Sequence, residues 1–213
     1  EGPSTEEIIT TPNPFDSVFI EAKAAYVLDA STGEVLYQKN PELQLPLASV
    51  TKVMVALTAK KTLPEYTLVS ISKDDLLEEG DSGLLVGEKW KLRNLLDFAL
   101  VVSSNDAIRS IASIAGTELS LSRTTQPAED YFIQAMNKTA REIGLTQSYF
   151  LNGSGLDLSG ELSGGYGSAQ DMAKLFTYVL KEHPTLLEAT RYSNIAISSD
   201  SAVHNAQNTN KVL

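Results

Sequence analysis

Along this chain, apolar residues sit on every side of some segments and on one side of others. Residues 47 to about 61 are of the first kind. They are nearly apolar all round and follow Pro46, which predicts a buried rather than half-exposed helix. Residues 129–143 are of the second kind: Phe132, Ala135, Met136, Thr139, Ala140 and Ile143 share a face, and Gly144 is placed as the C-terminal stop. Residues 92–102 and 106–115 read as two more helices, with Ser103-Ser104-Asn105 at their junction. Ser168 and Asp171 form a capping-box-like start for a helix ending near residue 182. Strand-like runs at 24–29 and 34–38 flank Ala30-Ser31-Thr32-Gly33 and predict a β-hairpin. Shorter strands are predicted at 67–72, 84–90 and 193–199.

Between these elements lie two irregular stretches. Residues 1–20 carry Pro3, Pro12 and Pro14 among acidic and hydroxyl residues and read as an N-terminal arm or linker. Residues 153–167 hold six glycines and read as a long loop; Leu158 interrupts any G-x-G-x-x-G, so phosphate cradling is not expected. The remainder, 21–213, reads as one domain.

The net charge of −10 and the lack of Lys/Arg clusters argue against nucleic acid. With no cysteine, thiolate catalysis, disulfides and Cys-based zinc sites are excluded. The two histidines, His183 and His204, are far apart in sequence, so neither a metal nor another cofactor is expected. His183 before Pro184 reads as a helix-end residue whose positive charge would suit the dipole, and His204 as exposed. Asp97 and Asp106 read as helix-surface or cap residues, and Trp90 as core or rim. No run reaches the ~20 apolar residues of a membrane span. The chain opens on Glu1, and any leader or anchor is expected to lie outside this fragment.

The candidate chemistry begins at Ser49-Val50-Thr51-Lys52. A serine needs a base to take its proton, and a lysine can be that base once burial favours its neutral form. Residues i and i+3 share a helix face, so Ser49 and Lys52 can touch. Lys52 has apolar neighbours and no acid at i±3 or i±4. At the N-terminal end of the helix, Ser49 would also meet free N–H groups that favour an oxyanion. With 22 serines and 12 lysines, one Ser-x-x-Lys is expected by chance, and Ser70-Ile71-Ser72-Lys73 is a second copy. That copy falls at a strand edge, where Lys73 would be solvated. Ser103-Ser104-Asn105 can add a hydroxyl and an amide to the same cleft, although Ser-Ser-Asn-Asp is also an ordinary helix cap.

The order hairpin, Ser-x-x-Lys helix, helix, Ser-x-Asn, helix resembles the penicillin-recognising serine acyltransferases. More narrowly it resembles the D-alanyl-D-alanine carboxypeptidases of low-molecular-mass penicillin-binding type. The likeness is carried by residues 24–40, 47–54 and 100–107. Met136-Asn137 through Gly144-Leu145, then residues 150–156 and 168–173, and Asn208-Thr209-Asn210-Lys211-Val212-Leu213 add to it. It implies an α/β (α+β) fold of β-lactamase/transpeptidase-like type, with an antiparallel sheet and a mainly helical region. It also implies roles: Ser49 as nucleophile, Lys52 as its base, Ser103 as a proton relay to the leaving amine, and Asn105 holding the substrate amide and Lys52. The Ser49 N–H would supply half of the oxyanion hole. The implied reaction removes the terminal D-Ala from peptidoglycan stem peptides ending in D-Ala-D-Ala, through an acyl-enzyme and outside the cytoplasm. β-Lactams would be the covalent inhibitors.

The family's third motif, Lys-Thr-Gly, is not in this sequence; Lys61-Thr62-Leu63 is its nearest match. The expectation is a fragment truncated before that motif and its strands, with very low activity on its own because one oxyanion donor is worth roughly 3–4 kcal/mol. Two alternatives stand beside the carboxypeptidase: a non-catalytic sensor or pseudoenzyme that binds penicillin or wall peptide, and a class A-like β-lactamase. The β-lactamase is disfavoured because Glu161 is followed by Leu162-Ser163-Gly164, without the expected Asn.

Overall fold

A computed structural model describes residues 15, 17–121 and 126–212. The N-terminal arm expected over residues 1–20 therefore lies mostly outside the described residues. The predicted hairpin is formed by β1 (Ala25–Leu28) and β2 (Val35–Lys39), antiparallel, with Tyr26 opposite Gln38. Its turn is tied by the Asp29 carboxylate, which accepts from the N–H groups of Ser31 and Thr32.

The short β3 (Leu45–Pro46) leads through a 3₁₀ turn (Ala48–Val50) into α1 (Thr51–Thr62). As its composition predicts, α1 is the buried axis of the molecule: Met54, Val55, Ala56 and Leu57 are each 0% exposed. Antiparallel β4 (Leu68–Ser70) and β5 (Lys89–Lys91) follow, with Val69 opposite Trp90. The strand expected over 84–90 is confined to its last residues. The chain turns at Gly87, whose N–H donates to Ile71 O, and Leu85 N is taken by the Glu88 side chain.

Helices α2 (Leu92–Val102) and α3 (Asn105–Ser120) meet at Ser103-Ser104 as expected, but α3 runs five residues past the predicted end. Helix α4 (Ala128–Glu142) packs against α3 and buries Phe132, Met136, Thr139 and Ala140 on the predicted face. The glycine-rich stretch is less irregular than its composition suggests. β6 (Tyr149–Phe150) and β7 (Gly165–Gly167) pair, and β7 also pairs with β3, making a three-stranded antiparallel sheet beside the start of α1. Small residues fit there because the strand passes close to Phe150 and Thr51.

Ser168 caps α5 (Ala169–Glu182) by accepting from Asp171 N. Asp171 does not complete a reciprocal box: its carboxylate takes Gln147 N and Ser148 Oγ instead. A 3₁₀ segment (Pro184–Arg191) precedes the antiparallel hairpin β8 (Asn194–Ser198) and β9 (Val203–Gln207). The fold class is thus the expected mixture of helices and antiparallel strands. No helix among the described residues is long and apolar enough to cross a membrane.

Candidate active site

Ser49 lies in the 3₁₀ turn that feeds α1, one step before the chain dives into the core. The residue before it, Ala48, has φ +45°, in the left-handed region that costs a non-glycine residue about 1–3 kcal/mol and persists only where packing over-determines it. The packing here comes from the 152–156 loop. A Cβ at Gly155, itself at φ +78°, would lie 1.9 Å from Ala48 O. The outcome is a sharp gradient of exposure: Ser49 is exposed, Thr51 is buried, and Lys52 is only 2% exposed.

Lys52 Nζ donates to Ser49 Oγ (2.8 Å) and to the backbone oxygen of Ser154 (3.1 Å). Neither partner carries a charge to hold the ammonium. Burial alone lowers the Lys52 pKa, from 10.5 to about 8. A base poised near neutral pH combines a usable neutral fraction with basicity.

The α2–α3 junction divides its two serines between two jobs. Ser104 is the N-cap of α3, its Oγ accepting from Ala107 N (3.0 Å) and paired with Ser82 Oγ (2.7 Å). Ser103 ends α2 in the left-handed region at φ +58° and lines a cleft of about 480 Å³ together with Ser49 and Lys52. Phe176, Leu187 and Asn208 line the same cleft. Asn105 lies in an adjoining hollow that shares Ser103. Its Nδ2 donates to Glu79 O (2.6 Å), and its Oδ1 is buried without a partner. In this structure the hydrogen bonds of Lys52 go to Ser49 and Ser154.

The sequence profile of the D-alanyl-D-alanine carboxypeptidases matches residues 9–213. The chain belongs to that family. The D-alanyl-D-alanine carboxypeptidase DacF of Bacillus subtilis is 33% identical over 168 residues, 76% of this chain and 39% of the relative. A D-alanyl-D-alanine carboxypeptidase structure from Mycobacterium tuberculosis H37Rv is 26% identical and superposes with a TM-score of 0.77, over 99% of this chain and 73% of that one. Penicillin-binding protein D2 of Listeria monocytogenes, in its ampicillin-bound form, is 25% identical with a TM-score of 0.72, over 92% of this chain and 75% of that one. The chain spans about 40–60% of the length of the first curated relatives it matches, some named endopeptidases and others carboxypeptidases of D-alanyl-D-alanine.

Two sequence expectations in and around this family's site are corrected. His204 is not exposed. Its side chain is 12% exposed, Nε2 pairs with the buried Glu88 carboxylate at 2.9 Å, and its ring packs against Trp90 and Phe98. The polar flanks of His204 concealed this, because β9 alternates and only every second residue turns inward. His183 does end α5, as expected, and burial, with Lys60 and Lys61 adding to it, holds its pKa below the ordinary value. Asp106 lies in the first turn of α3, as a helix-start residue would, but it is buried and not on the helix surface; burial pushes its carboxyl up, against the bond donated by Ser82 Oγ (2.9 Å). Sequence reasoning also missed the Ser154 carbonyl, since a backbone oxygen leaves no mark in residue type.

Proposed function

We propose that this chain carries the nucleophile half of a serine-type D-Ala-D-Ala carboxypeptidase, with residues 21–213 as part of its catalytic domain. The observation that carries the reading is the uncharged surrounding of Lys52 at 2.8 Å from an exposed Ser49 hydroxyl. In the neutral state Lys52 Nζ accepts the Ser49 proton as Oγ attacks the carbonyl of the penultimate D-Ala. The tetrahedral intermediate then collapses to an acyl-enzyme. Ser103, on the wall of the same cleft, passes a proton to the departing D-Ala amine. Asn105, with an orphaned buried Oδ1, accepts from the substrate amide. Water then hydrolyses the ester.

The substrate on this reading is a peptidoglycan stem peptide, and the site of action is outside the cytoplasm, in the periplasm or at the outer face of the bacterial cell membrane. A membrane attachment would come from a segment outside residues 1–213. β-Lactams would acylate Ser49 by the same attack; an ampicillin-bound relative supports this inhibitor class.

The test uses the protein in its full encoded length. Penicillin treatment followed by intact-mass measurement is expected to show a single adduct, lost in Ser49→Ala and kept in Ser70→Ala. Steady-state D-Ala release from a D-Ala-D-Ala peptide distinguishes an enzyme from a sensor. An adduct that survives Ser49→Ala refutes the site, and acylation without turnover favours the sensor.

A further inference from the structure

We propose that Asn152 is a positioning residue for the Lys52 base, acting through the Ser154 carbonyl. The inference rests on the proposed reading of Ser49 and Lys52 as nucleophile and base. An amine that must accept a proton along one direction has to be held by its N–H bonds along the others. Ser154 O, 3.1 Å from Lys52 Nζ, takes one such N–H in both protonation states. That leaves the nitrogen lone pair free to face Ser49 Oγ when the amine is neutral.

Nothing about a serine fixes its backbone carbonyl in such a place, and Asn152 does the fixing. Its Oδ1 accepts from Gly155 N (2.8 Å), and its Nδ2 donates to Leu156 O (2.9 Å). One side chain therefore staples both ends of the turn whose middle carries Ser154 O. The main chain at Asn152 is tied down as well, with Leu151 N and Asn152 N both donating to Gly164 O. The fit is close: a Cβ at Gly164 would lie 2.2 Å from Asn152 Oδ1. Gly153, Ser154 and Gly155 are buried, so the same turn covers the amine against water as well as orienting it. Loosening the staple exposes Lys52 to solvent and frees its rotamers.

The readout is the second-order rate of penicillin acylation against pH, on the full-length protein, for wild type, Asn152→Ala and Asn137→Ala. Asn137 is the control. It also staples this segment, donating from Nδ2 to Phe150 O (2.7 Å) and accepting Phe150 N (2.9 Å), but it has no bond to the 153–156 turn. For Asn152→Ala the midpoint of the rising limb should move up by about one pH unit, toward the lysine reference value, with a rate loss of about tenfold at pH 7. Asn137→Ala should lower the melting temperature with the midpoint unmoved. If Asn152→Ala fails to fold, Asn152→Leu, which keeps the size of the side chain, removes both bonds and adds no charge, should show the same upward displacement. An unchanged midpoint in the Asn152 variants, or an equal displacement in Asn137→Ala, overturns the proposal. Absence of any adduct in the wild type instead overturns the underlying reading of Ser49 and Lys52.

Discussion

The chain carries Ser-x-x-Lys twice, and the two copies have opposite surroundings. At Ser49–Lys52 the lysine is 2% exposed, faces the serine at 2.8 Å and is covered by the 152–156 turn. At Ser70–Lys73 the serine closes β4 and the lysine stands in solvent in the turn after it. The residue types and spacing are identical, so neither makes a base. What differs is conformation and cover. A helical path puts i and i+3 on one face, whereas leaving a strand does not. A lysine then becomes a usable base only where its charge is expensive.

The comparison breaks most directly by removing each lysine in turn. Lys52→Met should slow penicillin acylation of the full-length protein by about 10²–10⁴-fold, the range of general-base catalysis. Lys73→Met should leave the rate within about twofold, as for a surface change away from the site. Comparable losses in both would mean that burial is not what separates the copies.

The same burial has a stability signature, with a definite sign. The folded pKa of Lys52 is about 8, below the unfolded reference of about 10.4, so the unfolded chain binds this proton more tightly. The cost to folding is fully present below pH 8, falls as pH rises through the window from 8 to the unfolded value, and is gone above it. Lys52→Met, freed of that cost, should gain up to about 3 kcal/mol at pH 7 in urea unfolding, with the gain shrinking above pH 8. A methionine variant that is destabilised at pH 7 and shows no pH dependence would count against a desolvated amine.

The smallest effects sharpen the role of the cover. Gly155 and Gly33 share nearly the same backbone, φ +78° and φ +79°, but only Gly155 abuts another chain segment. Gly33→Ala should cost about 1–2 kcal/mol from the left-handed backbone alone. Gly155→Ala should add about 1–3 kcal/mol of overpacking against Ala48 and slow acylation with it. Equal stability losses and equal rates would show that the turn does not brace Ser49.

Much of this was legible in the sequence, for reasons that differ by element. The buried helix at 51–62, the α2–α3 junction and the cap at Ser168 each announce themselves through local patterns. So do Ser49 and Lys52, because helical spacing converts directly into contact. The pairing of β7 with β3 and β6 was hidden: a Gly-Tyr-Gly strand has no alternation to read, and its partners lie about 120 and 16 residues away. His204 was misread because its partner Glu88 is 116 residues distant. The role of residue 154 in holding Lys52 belongs to a backbone oxygen, which any residue could supply.

The central claim is that burial turns the lysine at position 52 into a neutral-range base for Ser49. The most direct measurement is an NMR titration of the lysine side-chain ¹³Cε resonances, with Lys52 assigned by its loss in Lys52→Met. A Lys52 midpoint at about 8 is predicted. A midpoint near the free-lysine value of about 10.4 would contradict the account.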